Sequence, residues 1–203
     1  MSAAAPQLLL ASTSPYRRAL LERIDVPFDV DAPSFDERTL DGELEHLGET
    51  ELATRLALGK GRSLVPRWPH HWILAADQLG VLPGDPPRIL HKAGTEDAAI
   101  DQLVAMAGTT HTLTTAVVLL PPGGGEPHIA VDRQRLTMRP FERAEAEDYV
   151  RRFRPLDSAG SYRIEDAGIR LFDRIEGEDA TGIIGLPLLA VCRLLRRASL
   201  LPP

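Results

Sequence analysis

The segment Leu8–Leu21, LLLASTSPYRRALL, constrains the fold most, because a short apolar run breaks into three hydroxyl residues and a proline and then resumes as a basic, helix-compatible stretch. It reads as a strand, a tight loop and a helix N-terminus. Ser14 suits the N-cap and Pro15 the first helical position, where a missing N–H is one that the helix leaves unpaired anyway. Backbone N–H groups, the positive end of the helix dipole, the hydroxyls of Ser12, Thr13 and Ser14, and the guanidinium groups of Arg17 and Arg18 then converge, which is the physical recipe for holding a phosphate chain. An ordinary capped helix with two solvated arginines is the other reading of the same residues.

A chain of 203 residues is long enough for one large domain or two intimately packed lobes. One unit over 1–203 is the default. The net charge of −6 argues against broad binding to a nucleic-acid polymer or an anionic membrane, both of which demand a basic field, while leaving room for a local phosphate pocket. The single cysteine, Cys192, lies in an apolar helical stretch and reads as a small core residue of a protein from a reducing compartment. No basic segment precedes LLLA, and that run is too short for a signal-peptide core or a membrane span. A cytoplasmic location is the expectation.

Along the chain, Val26–Val30 suits a second strand, Ala32–Gly48 a polar, acidic loop, and about Thr50 to Leu64 a helix with Leu52, Leu56 and Lys60 on one face. Trp72–Ala76 is an apolar run expected of a strand buried on both faces, with Asp77 directly after it. Prolines around Val81–Arg88 make a turn. Thr95 can cap a helix through Ala107, with Ile100, Leu103, Val104 and Ala107 at helical spacing and Gly108 as the stop. Thr110–Leu120 and His128–Met138 flank PPGGGEP and suggest a hairpin with a long tip. A charged helix near Arg143–Phe153, a strand near Ile169–Ile175 and a helix over Pro187–Arg197 complete a pattern typical of a mixed-sheet α/β protein.

Asp77 is the strongest catalytic candidate, since a carboxylate at the end of a buried strand is held rigidly toward the crevice where α/β proteins often bind ligands. A turn aspartate is the competing reading. The six histidines have no zinc-like spacing, and no G-x-x-x-x-G-K-[ST] string is present.

Five motifs in order resemble the Maf family of nucleotide pyrophosphatases: ASTSPYRRALL, LAADQ ending at Gln78, HKAG (His91–Gly94), DSAGSYRIEDAG (Asp157–Gly168) and IIGLPL (Ile183–Leu188). The resemblance covers nearly the whole chain. It implies a two-lobed fold with a central twisted mixed sheet and flanking helices, the site in a cleft between the lobes, and a homodimer as the common assembly. It implies hydrolysis of a nucleoside triphosphate between the α- and β-phosphates, with Asp77 orienting or deprotonating the attacking water. Ser12 and Ser14 become the hydroxyl cradle, and Arg17, Lys60 and Lys92 the cations on the phosphates. A divalent metal (Mg²⁺, Mn²⁺ or Co²⁺) would bridge phosphate oxygens, with Asp77 and Glu37 as protein ligands; Glu37 reads equally as a plain loop carboxylate.

Within the family the chain resembles the branch acting on 7-methyl-GTP more than the one acting on dTTP and UTP. That branch has an aromatic after S-x-S-P, usually tryptophan and here Tyr16, and a glutamate here represented by Glu165 in GSYRIE. Gln78 is the third specificity position. A cationic, 7-methylated guanine should stack on an aromatic face and pair with a carboxylate. Tyr16 as a helix-surface residue and Glu165 as an ion-pair partner of Arg163 are the plainer readings. A dTTP/UTP pyrophosphatase, and a nucleotide-binding regulator of septum formation with little turnover, are the alternatives at the level of function.

Overall fold

Strand β1 (Leu8–Ala11) is buried along its whole length. It has a parallel neighbour on either side, β2 (Phe28–Asp31) and β3 (Trp72–Leu82), and a strand covered on both faces requires an unbroken apolar run. The computed structural model describes residues 7–40 and 42–202; Asp41, inside the expected loop, and both ends of the expected 1–203 domain lie outside the described residues. After β1 the chain turns into helix α1 (Pro15–Glu22), with Ser14 as N-cap and its side chain accepting the Arg17 N–H.

Helix α2 (Leu44–Leu64) is broken at Gly48, whose φ of 72° and ψ of 167° are not helical. The main body therefore begins next to Thr50, as the sequence pattern indicates. The expected loop Ala32–Gly48 is nevertheless not structureless, because a 3₁₀ turn forms over Glu37–Leu40 and a further helical turn starts at buried Leu44. Glycine adopts the left-handed φ at little cost, which lets two helical pieces join there at an angle.

Strand β3 corrects another expectation. It does not stop before Asp77 but runs eleven residues to Leu82, with Leu79, Gly80 and Val81 buried beyond the aspartate. A carboxylate normally marks the end of a buried strand; here Lys60 compensates it, so the strand continues.

The remaining expected elements form near their expected bounds, while the short strand Arg88–Ile89 and the short helix Thr181–Ile184 are additions that the sequence pattern does not indicate. Strand β4 (Arg88–Ile89) pairs antiparallel with the end of β3. Helix α3 (Glu96–Met106) is capped by the Thr95 hydroxyl. Strands β5 (Thr110–Leu120) and β6 (His128–Met138) are neighbours in the sheet, and their connection carries a short 3₁₀ turn at Pro122–Gly124. Helix α4 (Arg143–Phe153) precedes β7 (Phe172–Glu176), which starts later than expected because Gly168–Leu171 forms a 3₁₀ turn. Helices α5 (Thr181–Ile184) and α6 (Leu188–Arg197) close the order.

Among the described residues, seven strands form one mixed sheet, ordered β2-β1-β3-β5-β6-β7 with β4 on β3, flanked by helices. The chain divides into two compact units. The first comprises residues 7–78, 115–132 and 179–202, and its core joins Leu8, Leu10, Leu74 and Val117 of the strands to Leu20 of α1 and Leu194 of α6. Cys192 of α6 is half-buried rather than a core residue. The second unit comprises 79–114 and 133–178, where α3 packs on α4. No helix among the described residues is long and apolar enough to cross a membrane.

Candidate active site

Asp77 sits on β3 with 5 % of its surface exposed. Burial pushes its carboxyl above the usual carboxylate range, opposed by the charges of Lys60 and Arg17 and reinforced by that of Glu37. Lys60 reaches it from α2, one helical turn beyond Leu56 on the same buried face, and is itself only 8 % exposed. Its ammonium donates to Asp77 Oδ1 and lies 3.1 Å from Glu37 Oε1. Lys60 therefore does not extend to solvent; its charge is held between two carboxylates. Removing such a charge from water is tolerable only when it is paired and hydrogen-bonded in this way.

The loop after β1 is built as a turn of hydroxyls. Ser14 N–H donates to Ser12 Oγ at 3.1 Å, and Arg17 N–H donates to Ser14 Oγ at 3.4 Å. Both hydroxyl oxygens are thus acceptors within the turn, which leaves their O–H protons to donate elsewhere. The Ser12 N–H is used internally, on Leu10 O and Asp31 O. The Thr13 N–H makes no hydrogen bond among the described residues. Arg17 is fixed by one bond, Nε to Gly185 O at 3.0 Å, and its two Nη atoms make none among the described residues. Burial lowers the pKa of this guanidinium, while Asp77 and Glu37 act in the opposite direction. Hydroxyl donors, an unused backbone N–H and a half-fixed arginine fork thus lie at the N-terminus of α1, the geometry that favours an anion.

Successive residues of a strand face opposite sides. Asp77 meets α2, whereas Gln78 Nε2 donates to Thr115 Oγ1 at 2.9 Å and to Gly182 O at 2.6 Å. With both N–H bonds spent, Gln78 presents its carbonyl oxygen as the remaining polar group. Tyr16 is half-buried in the first turn of α1. The sequence reading missed the carbonyls of Gly182 and Gly185, which hold Gln78 and Arg17. The IIGLPL motif marked the neighbourhood, but backbone carbonyls leave no residue-type signature.

Lys92 and Glu165 belong to the second unit. Lys92 is exposed and forms an isolated antiparallel bridge with Ala159, and Gly94 N–H donates to Leu156 O, so HKAG is tied to the DSAG stretch. Glu165 is exposed and makes no hydrogen bond or ion pair among the described residues. Its plainer reading as the partner of Arg163 is overturned, since Arg163 bonds Asp166 Oδ2 at 2.7 Å and Asp157 Oδ1 at 2.8 Å. The same loop is braced by Tyr149 OH, which accepts the Arg163 N–H, and by Tyr162 OH, 2.8 Å from His111 Nε2.

Asp77 and Glu37 converge on one positive charge, that of Lys60, and their carboxylates would offer two of the oxygen donors that a hard divalent cation takes. No group of three or more His, Cys, Asp or Glu residues able to hold a metal is present among the described residues. Substrate phosphates and water would supply the remaining oxygens, as is usual for Mg²⁺.

A family model described as Maf-like protein matches residues 7–198. The 7-methyl-GTP pyrophosphatase of Xanthomonas campestris pv. campestris (strain 8004) is 42 % identical over 194 residues, covering 96 % of this chain and 97 % of that protein. The 7-methyl-GTP pyrophosphatase of Pseudomonas savastanoi pv. phaseolicola (strain 1448A / Race 6) is 40 % identical over 198 residues, covering 98 % of this chain and 100 % of that protein. With a family model spanning most of its length and relatives similar from end to end, this chain belongs to the Maf family.

Proposed function

We propose that this protein is a nucleoside triphosphate pyrophosphatase that hydrolyses 7-methyl-GTP to the monophosphate and pyrophosphate, clearing a modified nucleotide from the cytoplasm as a homodimer. The observation that supports the reading is the buried Asp77 carboxylate, paired with Lys60, whose ammonium also meets Glu37, in a chain whose full-length relatives bear that activity in their names. Asp77 holds the attacking water and takes its proton. The water oxygen bonds to the α-phosphorus, the bond to the α–β bridging oxygen breaks, and pyrophosphate leaves. Lys60 keeps the buried carboxylate ionised enough to act, since its charge opposes the effect of burial.

The Ser12 and Ser14 hydroxyls, the Thr13 N–H and the Arg17 fork bind the phosphate oxygens, and Lys92 adds a further cation. Asp77 and Glu37 would hold a divalent metal, which when bound supplies charge neutralisation on those oxygens. Tyr16 stacks on the base, Gln78 offers its carbonyl to the base edge, and Glu165 pairs with the positive charge that N7-methylation creates. A panel of 7-methyl-GTP, GTP, dTTP and UTP assayed for pyrophosphate with Mg²⁺, Mn²⁺ and Co²⁺ tests the reading. The expected result is highest catalytic efficiency on 7-methyl-GTP. Preference for dTTP or UTP would move the protein to the other branch, and nucleotide binding without pyrophosphate release would leave it a regulator.

A further inference from the structure

Helix α5 has only four residues and is far too short to persist by its own hydrogen bonds. Yet its two ends carry the carbonyls on which two site residues depend, with Gly182 O accepting Gln78 Nε2 at 2.6 Å and Gly185 O accepting Arg17 Nε at 3.0 Å. What holds the turn is a buried side-chain junction. Asp179, 7 % exposed, accepts the Thr181 N–H at 3.0 Å and the Thr181 hydroxyl at 2.6 Å on Oδ1, and the Leu189 N–H at 2.7 Å on Oδ2. The Thr181 hydroxyl in turn accepts the Leu188 N–H at 2.8 Å. One carboxylate and one hydroxyl therefore cap α5 and α6 together, satisfying N–H groups that Pro187 at the N-cap of α6 leaves without a side-chain partner. Gly185 closes the turn at a φ of 118°, a conformation glycine adopts readily, and its N–H returns to Thr181 O at 3.3 Å.

From this geometry we infer that Asp179 and Thr181 are positioning residues for the active site, acting through α5 to set Gln78, which reads the base, and Arg17, which binds phosphate. The inference rests on the proposed function for what those two residues do, and on geometry alone for how they are held. Loosening the junction therefore frees the Gln78 amide and the Arg17 Nε–H together, although the two are far apart in sequence.

The test is Thr181→Val, which keeps shape and removes the hydroxyl, beside Thr181→Ser, which restores it. In the ¹⁵N-labelled full chain, exchange of the Arg17 Nε–H and the Gln78 side-chain NH₂ with solvent should accelerate about tenfold or more in Thr181→Val and return toward wild type in Thr181→Ser. Catalytic efficiency should fall about ten- to a hundredfold, as misplacement of binding groups does, and the advantage of 7-methyl-GTP over dTTP should narrow. A merely structural role would lower the melting temperature and leave that ratio intact. Unchanged exchange at both groups overturns the inference, as does a folded Thr181→Ser that fails to restore them. If the wild type releases no pyrophosphate from any nucleotide, the proposed function fails while the exchange rates still decide the positioning role. If circular dichroism shows Thr181→Val unfolded, Asp179→Asn carries the same readouts with the same criteria.

Discussion

Burial and the charges of Lys60, Arg17 and Glu37 together bear on the ionisation of Asp77. Its carboxyl is raised by burial and lowered by Lys60 and Arg17, and a general base works only when ionised. Activity should therefore rise with pH through the Asp77 pKa, which lies above the usual carboxylate range. Lys60→Met removes a group that lowers this pKa, so the acid limb of the profile should move to higher pH; a limb that stays in place would take Lys60 out of the control of Asp77. Asp77→Asn should reduce pyrophosphate release by at least about a hundredfold with the fold retained, as measured by turnover beside circular dichroism. The residues proposed to read the base separate from these. Tyr16→Ala should lose roughly 1–3 kcal/mol of stacking, and Glu165→Gln should narrow the preference for 7-methyl-GTP over dTTP and UTP without a matching loss on the latter two. Steady-state efficiencies on all three substrates check both. Glu165 is exposed and unbonded among the described residues, which is what the proposed role of its charge requires.

At the level of elements, α1 joins two tasks in one residue. The Ser14 hydroxyl caps the helix by accepting the Arg17 N–H, and its proton is proposed to donate to a phosphate. These tasks can be pulled apart. Ser14→Ala should cost about 1 kcal/mol of stability through the lost cap and also weaken triphosphate binding. Ser14→Asp should keep the cap, because aspartate is an equally good N-cap residue, while repelling the triphosphate. Thermal unfolding and KM measured on both variants give the answer: an unchanged KM in both, with stability lost in Ser14→Ala and kept in Ser14→Asp, would mean that the hydroxyl only caps. The elements themselves were largely readable, since helical and alternating periods and caps such as Ser14 and Thr95 are local. Val104, expected on the buried face of α3, is instead 37 % exposed, because Ala99, Ile100, Leu103 and Met106 alone form the stripe that packs.

For the molecule as a whole, the acid sensitivity of folding should come from the second unit. His111 is buried against Tyr162 and Phe172, and desolvation lowers its pKa from 6.5 to about 4. The unfolded chain binds a proton below about pH 6.5 that the folded chain refuses, so this stability is full above that pH and is lost as pH falls toward 4. A shift of that size corresponds to at most about 3 kcal/mol. Calorimetric melting between pH 4 and pH 7 should show the loss, and His111→Phe should flatten it even though the variant forfeits the bond to Tyr162. An unaltered pH slope in that variant would place the acid sensitivity elsewhere.

The order of most elements and the hydroxyl turn after β1 follow from the sequence by itself, because each rests on interactions spanning a few positions, whereas most candidate residues rest on the family resemblance. Who partners whom was decided only by tertiary structure. Lys60 and Asp77 meet across 17 residues and Arg17 and Gly185 across 168, and nothing local records such pairs. The same reason explains β3: read alone, Asp77 ends a strand, whereas with an ammonium from α2 beside it the carboxylate is compensated and the strand runs on. It explains Lys60 as well, a residue that looks like a solvent-seeking end to an apolar stripe until the carboxylates that hold it are brought together by folding.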